Sequence, residues 1–250
     1  MTRFHITLII ALALGAMTLA MGQFFLFASV VVAFLIMAGL GVALPQLRFF
    51  GPFICSGAGT RRYVALTFDD GPDAGSTPAL LDLLREEKLS AAFFAIGKRV
   101  AANPELAARI VREGHLLENH SYAHSNFTNF FPLPRLHAEL AQTQAAIAQA
   151  TGTAPRCFRP PMGLSNPRIF RAARGLGLSV VGWNARGLDT QIADPQRIVA
   201  RITRQLKPGG IILLHDGNIP AARLVLTVKL LLANLHERGY EIVRLDKLLE

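Results

Sequence analysis

Between Ile6 and Leu44 the chain carries no Asp, Glu, Lys, Arg or His, and Gln23 is the only side-chain amide in that stretch. No other feature limits the possible folds as strongly. A hydrocarbon layer of about 30 Å is crossed by about 20 apolar residues in a helix, so the run is long enough for two crossings. We read Ile6–Met21 and Phe24–Leu44 as two spans joined by a tight turn at Gly22-Gln23. A secretory signal would show one short apolar core and then a cleavage site, whereas here a second apolar block follows at once. The expected organisation is a transmembrane anchor of two helices over residues 1–48, a linker over 49–62 and a globular domain over 63–250.

The formal net charge is +9, and residues 1–60 contribute only Arg3 and Arg48, so the globular part carries the remaining +7. A basic domain beside a bilayer is drawn to anionic lipid headgroups. Nucleic-acid binding is excluded as a reading because the basic residues are scattered through amphipathic helices without interleaved aromatics. Cys55 and Cys157 lack C-x-x-C spacing and define neither a thiolate metal site nor a disulfide framework. A hairpin puts Arg3 and the Arg48, Arg61, Arg62 flank on one side of an inner, bacterial-type cell membrane, and the charge bias favours the cytoplasm. A single span would instead place the domain outside.

After residue 62, short apolar runs alternate with helical patterns. Candidate strands are Val64–Phe68, Ala91–Ile96, His115–Glu118, Cys157–Arg159, Ser179–Trp183, Ile211–His215 and Glu241–Leu245. Helix starts are marked by Thr77-Pro78, Asn103-Pro104, Asn166-Pro167 and Asp194-Pro195, since proline lacks the N–H that goes unpaired in a first turn. Gly114, Gly175, Gly209 and Gly239 stand where stops are needed, and Leu133–Thr151 and Ala221–Arg238 complete the helices. This alternation predicts a parallel sheet covered by helices, either doubly wound or closed into a barrel. In barrel enzymes the chemistry sits at the carboxyl ends of the strands.

Five reactive blocks fall at such ends. Asp69-Asp70-Gly71-Pro72 closes the first strand, and alone would be an ordinary turn. His120 and His124 follow the third; four residues apart, they share one face of a helical turn and can reach one cation. Asp70 completes an N2O set with one position left open, the layout of a catalytic zinc. Arg159-Pro160-Pro161-Met162-Gly163 follows the fourth strand, with prolines stiffening the path so that the Met162 N–H can face a ligand. Trp183 to Asp189 follows the fifth, and Leu213-Leu214-His215 ends a buried strand on a histidine.

In this order the blocks resemble the polysaccharide deacetylase family, also called the NodB-homology or chitooligosaccharide deacetylase-like family, over about residues 60–245. The resemblance implies a distorted (β/α) barrel of about seven strands that hydrolyses N-acetyl groups on amino sugars with one divalent metal ion, Zn2+ first and Co2+, Ni2+ or Mn2+ as alternatives. It also implies roles. Asp69 matches the catalytic base, and Asp70, His120 and His124 match the metal ligands. Arg159 matches the residue holding the base, Leu213 the wall of the acetyl pocket, His215 the general acid, and Asp189 the acid that orients it. Met162 and Trp183 fall with Leu213 on the substrate side. The implied partners are an amino-sugar glycan, a glycolipid or lipid-linked sugar, and membrane lipids.

Two departures stand out. The third block normally ends in tyrosine, where this chain has Met162, and the fourth normally reads Asp-x-x-Asp-Trp, where this chain has Arg186 and Thr190. A backbone donor survives the first change, but a side-chain contact to sugar does not. The altered groove points to an unusual or charged substrate. The competing readings are a non-catalytic sugar-binding membrane protein on the same fold and a deformylase of a lipid-linked amino sugar.

Overall fold

The computed structural model describes residues 1–250. Helices α1 (Arg3–Ala20) and α2 (Phe24–Ala43) pack together as a hairpin that turns at Gly22, in the left-handed region at φ 70°. Their contact is made by small residues: Gly15 and Thr18 are buried, and the Phe27 ring rests on Gly15. Most of the large apolar side chains on both helices are exposed, including Ile9, Leu12, Phe25 and Leu35. With mean hydropathies of 1.7 and 2.6, both helices are long and apolar enough to cross a bilayer.

The domain that follows contains β1 (Tyr63–Asp69), β2 (Ala92–Ala95), β3 (Leu116–Asn119), β4 (Cys157–Phe158), β5 (Ser179–Val180), β6 (Ala185–Arg186), β7 (Gly210–His215) and β8 (Glu241–Ile242). Its helices are α3 (Thr77–Glu86), α4 (Gly97–Ala102), α5 (Pro104–Arg112), α6 (Leu133–Thr151), α7 (Pro167–Gly175), α8 (Pro195–Gln205), α9 (Ala221–Glu237) and α10 (Leu245–Leu249). The strand order is β5-β4-β3-β2-β1-β7-β6, with β8 on the opening residues of β1, and every pairing between these strands is parallel. The chain is thus a distorted (β/α) barrel, open between β5 and β6. All seven expected strands form, most of them shorter than expected. β6 is an addition of two residues, too short to leave a periodic signal.

Strand parity decides what faces inward. Along β1, Val64, Leu66 and Phe68 join the large apolar layer under the helices, with Phe93, Ile212 and Leu214 from neighbouring strands. The alternate residues face the barrel interior, where Ala65 packs with Phe94, Cys157, Ile211 and Leu213. Continued to the strand ends, the inward register contains Thr67, Asp69, His120, Arg159, Leu213 and His215. Each fully buried Leu, Ile or Phe of these layers contributes about 1.5–3 kcal/mol.

The expected linker over 49–62 is corrected in its first half. Phe49, Phe50, Phe53 and Cys55 are buried with Phe158, Phe170 and Val180. Ile54 bridges Val181 in parallel, and Ser56 bridges Gly210 in the opposite sense, so this segment crosses the open seam of the barrel. The reading as linker came from the small residues Ser56–Gly59, whereas the apolar residues before them have buried sites to fill.

The helix signals are also refined. Asn166 and Asp194 do cap α7 and α8 through their side chains, but Asn103 makes no cap bond. The first start moves to Ser76, which also makes no cap bond. The left-handed stop after α7 is Gly177, φ 71°, rather than Gly175, which ends the helix itself.

Candidate active site

Nine of the ten residues expected at the site line one cleft of about 370 Å³ at the carboxyl ends of the strands; the tenth, Arg159, lies beneath it. Larger surface hollows exist, such as one of about 640 Å³ along α8 and α9, but that one gathers no carboxylate and no histidine.

Asp70 leaves β1 in a left-handed conformation, φ 74°, which turns its carboxylate back towards the next two strands. Its Oδ1 lies 3.5 Å from His120 Nε2 and 3.3 Å from His124 Nε2. The expected helical turn is absent. His120 ends the β3 register, and the chain then bends through Ser121 and His124, both at positive φ, bringing the two rings to 4.8 Å between centroids. Glu139 on α6 fixes this bend by accepting the N–H groups of Tyr122 and Ala123, and Asn119 accepts that of Ser121.

These three side chains fit one cation. One ligand atom from each lies within 4.8 Å of the others. Asp70 Oδ1 is buried and no donor reaches it, an arrangement that is costly for an anion unless a cation sits beside it. His120 Nδ1 stands 2.7 Å from the Arg159 carbonyl, which can only accept, so Nδ1 carries a proton and Nε2 is the atom turned to Asp70. Burial disfavours the charged His120 ring, but Asp69 and Asp70 outweigh it and raise its pKa, marking a place that favours positive charge. Burial, with the charge of His120, lowers the His124 pKa and favours a neutral imidazole there.

Asp69 is held from below. Arg159, fully buried, donates from Nη1 to Asp69 Oδ1 at 2.5 Å and to Thr67 Oγ1 at 2.9 Å, and from Nη2 to the Gly182 carbonyl at 2.9 Å. Its guanidinium also lies 3.9 Å over the Phe94 ring. Asp69 Oδ2 is thereby left towards the cleft, 3.7 Å from His120 Nε2.

Across the cleft, His215 is gripped twice by Asp189. Its backbone N–H donates to Oδ2 at 2.7 Å, and Nδ1 donates to Oδ1 at 2.9 Å. Burial disfavours the charged ring, but the hydrogen bond and the charge of Asp189 outweigh it and raise the His215 pKa to about 9. Trp183 is buried in the wall and fills the space where Gly163 has no side chain, so any Cβ at position 163 would lie inside the indole. Met162 is half exposed at the lip, φ 57°. Six of the eight non-glycine residues with positive φ stand on loops of this rim: Asp70, Ser121, His124, Met162, Leu188 and Asn218. Such strain persists where the surroundings over-determine it, and it clusters at functional sites.

Thr67, Glu139 and Asp216 were not anticipated. Asp216 is fully buried, bonded by Thr77 Oγ1 at 2.6 Å, and burial pushes its carboxyl up to about 7. Its backbone N–H donates to the Asp69 carbonyl at 3.0 Å, so it braces the loop that carries Asp69 and Asp70. Its place directly after His215 in the fifth block was the only signal.

Residues 56–181 match the family model described as polysaccharide deacetylase. The chain is 35% identical over 190 residues to a peptidoglycan-N-acetylglucosamine deacetylase of Bacillus cereus, covering 75% of this chain and 88% of that protein. It is 36% identical over 203 residues to a chitooligosaccharide deacetylase of Bradyrhizobium sp., covering 76% and 92%. Among solved structures, a family-4 carbohydrate esterase pseudoenzyme from Bacillus anthracis superposes with a TM-score of 0.74 at 26% identity, covering 80% of this chain and 69% of that one.

Proposed function

The chain belongs to the polysaccharide deacetylase family, carbohydrate deacetylases that hydrolyse amide bonds, and from that premise we propose that it removes N-acetyl groups from an amino sugar with one divalent metal ion. The observation that carries this reading is the convergence of Asp70, His120 and His124 beside the Arg159-bound carboxylate of Asp69. Asp70, His120 and His124 would hold the ion, and their mixed nitrogen and oxygen donors suit Zn2+ first, with Co2+, Ni2+ and Mn2+ as alternatives. When bound, the ion supplies Lewis-acid polarisation and makes water more acidic.

Asp69 takes the proton of the attacking water through Oδ2, while Arg159 fixes the orientation of that carboxylate. The backbone N–H of Met162 donates to the acetyl oxygen as negative charge grows there. Leu213 walls the space for the acetyl methyl, and Trp183 supports the sugar side of the cleft. The water oxygen bonds to the acyl carbon, the carbon–nitrogen bond breaks, and His215 gives its proton to the departing amine, leaving acetate and a free amino sugar. Asp189 keeps His215 charged and aimed. Arg186, where relatives of the usual pattern have an acid, adds an exposed cation to the cleft and suits a substrate that is itself anionic.

The two apolar helices would serve as a membrane anchor over residues 1–48, with the deacetylase domain over 63–250 and the charge flank favouring the cytoplasmic side. A signal sequence is the rival for that segment. The anchor is favoured because the chain leaving α2 is built into the domain through Phe49, Phe50 and Phe53. A non-catalytic reading draws on the likeness to a pseudoenzyme, but the base, the three ligands and the acid are all present in this chain.

Acetate release from N-acetylglucosamine oligomers, abolished by a chelator and restored by zinc, is the expected result. Asp69→Asn should keep the ion and lose about 10²–10⁴ in kcat, the usual worth of a positioned base. Unaltered turnover in that variant would remove Asp69 from its role. Formate released in place of acetate would select the deformylase reading.

The pH profile tests His215. A pKa raised in the folded protein keeps the ring protonated at neutral pH, so activity is lost as pH rises through that value. Asp189→Asn removes the charge that raises it, and the alkaline limb should move down to near or below the ordinary histidine value of about 6.5. An alkaline limb that stays in place would assign the proton to another group.

A further inference from the structure

The anchor helices do not hang from the domain on a loose tether; they dock beside the catalytic cleft. Ser165, three residues beyond Met162 at the cleft mouth, donates from its backbone to the Val42 carbonyl at 3.3 Å and from Oγ to the Gly41 carbonyl at 3.4 Å, both on α2. Gln46, just after α2, donates to the carbonyl of Trp183 in the cleft wall. Phe4 at the start of α1 donates to the Phe49 carbonyl at 2.9 Å, and its ring lies 5.9 Å from Phe49 and 5.2 Å from Phe50. Gly41 admits the Phe49 ring where a side chain would otherwise stand. Both chain ends of the hairpin therefore meet the domain at one place. The turn at Gly22 lies a helix length away, about 27–30 Å for helices of this size.

That geometry sets which part of the domain meets the bilayer surface. Next to Ser165, Asn166 donates to the Asn129 carbonyl at 2.6 Å. Asn129 lies between Phe127 and Phe130, which are 69% and 72% exposed on the loop that follows His124. Met162, 49% exposed, stands at the cleft mouth, while Phe127 and Phe130 lie outside the cleft lining and are joined to this region through the Asn129–Asn166 bond. Basic side chains flank it: Arg168 reaches the Asn129 carbonyl, Arg135 stacks on Phe131, and Arg3 bonds the Leu47 carbonyl. Aromatic rings beside arginines are the composition of a surface seated at lipid headgroups. Arg186 in the cleft has no carboxylate partner, and the phosphate of a sugar joined to its lipid through phosphate would give it an anion.

We propose that Phe127, Phe130 and Met162 enter the bilayer interface and that the substrate is an N-acetylated amino sugar carried by a membrane lipid, delivered sideways from the bilayer into the cleft. The inference rests on the anchored-deacetylase reading and narrows its substrate class. It accounts for the large aromatic side chains Phe127 and Phe130 left exposed on the loop that Asn166 ties to the hairpin contact.

The test uses the full chain in phosphatidylcholine–phosphatidylglycerol vesicles containing lipids brominated on the upper acyl chain. Tryptophan is introduced singly as Phe127→Trp or Val32→Trp, with the wild-type signal of buried Trp183 subtracted. Quenching at both positions is expected. Quenching at position 32 but not 127 leaves the anchor standing and overturns the membrane-facing rim; quenching at neither overturns both. In a second arm, a Phe127→Ser/Phe130→Ser protein should lose at least about tenfold in its rate on an N-acetylglucosamine glycolipid in vesicles relative to a chitooligosaccharide in solution. Equal losses on both substrates, or none, would overturn the lipid substrate. Failure of the wild type to deacetylate either compound, with quenching at position 127 intact, would sink the deacetylase chemistry and the substrate while sparing the bilayer contact.

Discussion

Replacing Asp70 or His124 by alanine is expected to remove the bound ion and turnover together. Asp70 is the only anionic member of the ligand set, and without it two neutral imidazoles face a dication with no compensating charge. Metal content measured after gel filtration should fall from near one ion per chain to near none. Turnover should fall by more than about a thousandfold, since the loss of a single electrostatic stabiliser alone costs about 10²–10³. The metal-free fold should lose some stability as well: burial works against the Asp70 carboxylate, but His120 and His124 beside it hold its pKa well below the usual carboxylate range, so the charged group stabilises the metal-free protein at neutral pH and its loss lowers the Tm. Zinc should raise the Tm of the wild type and not of the variant, because a ligand stabilises only the state that binds it. Retained stoichiometry and turnover in either variant would overturn the ligand assignment.

Arg159→Ala is expected to have the largest effect on stability. The side chain is completely buried and bonds Asp69, Thr67 and the Gly182 carbonyl at once, so truncation strands a carboxylate and two further acceptors in the barrel interior. Breaking a buried ion pair from one side costs about 3–5 kcal/mol, which is a large share of the about 5–15 kcal/mol by which domains are stable. Urea unfolding is the measurement. Arg159→Lys should recover only part of the loss, because an ammonium cannot reproduce the planar fork or the stacking on Phe94. Adding Asp69→Asn to Arg159→Ala should cost less than the two single changes together, since the second removes the charge that the first left stranded. Strict additivity would mean that the pair is not energetically coupled in the folded protein.

Much of the site was readable before any coordinates. Asp69, His120, Arg159, Leu213 and His215 share the inward register of parallel strands, and a period of two residues carries that register to the strand ends. Once the strands were recognised, their meeting at one rim followed. The local shape of the loops did not follow in the same way. His120 and His124 meet through two left-handed residues rather than a helical turn, because Glu139, fifteen residues beyond His124, holds the backbone of Tyr122 and Ala123. Thr67 reads as one more strand threonine until Arg159, 92 residues later, bonds its hydroxyl. Asp216 looks like a turn residue until Thr77, from the first βα unit, bonds its carboxylate. Residues 49–57 are rich in apolar side chains, but Gly51, Pro52 and Gly57 break any period of two or 3.6, and they cross the seam of the barrel without forming a full strand.

From sequence alone came the apolar hairpin, the alternation of strands and helices, the family and the residues of the site, since each depends on period, composition or short motifs that a single stretch of chain contains. The tertiary structure decided which loops are strained, which side chains brace the reacting ones, how the open edge of the barrel is covered, and that the hairpin docks beside the cleft mouth. Those outcomes depend on partners tens of residues apart, and the hydrogen bonds that select them form only once the folded barrel has excluded water and left each buried polar group a few possible partners.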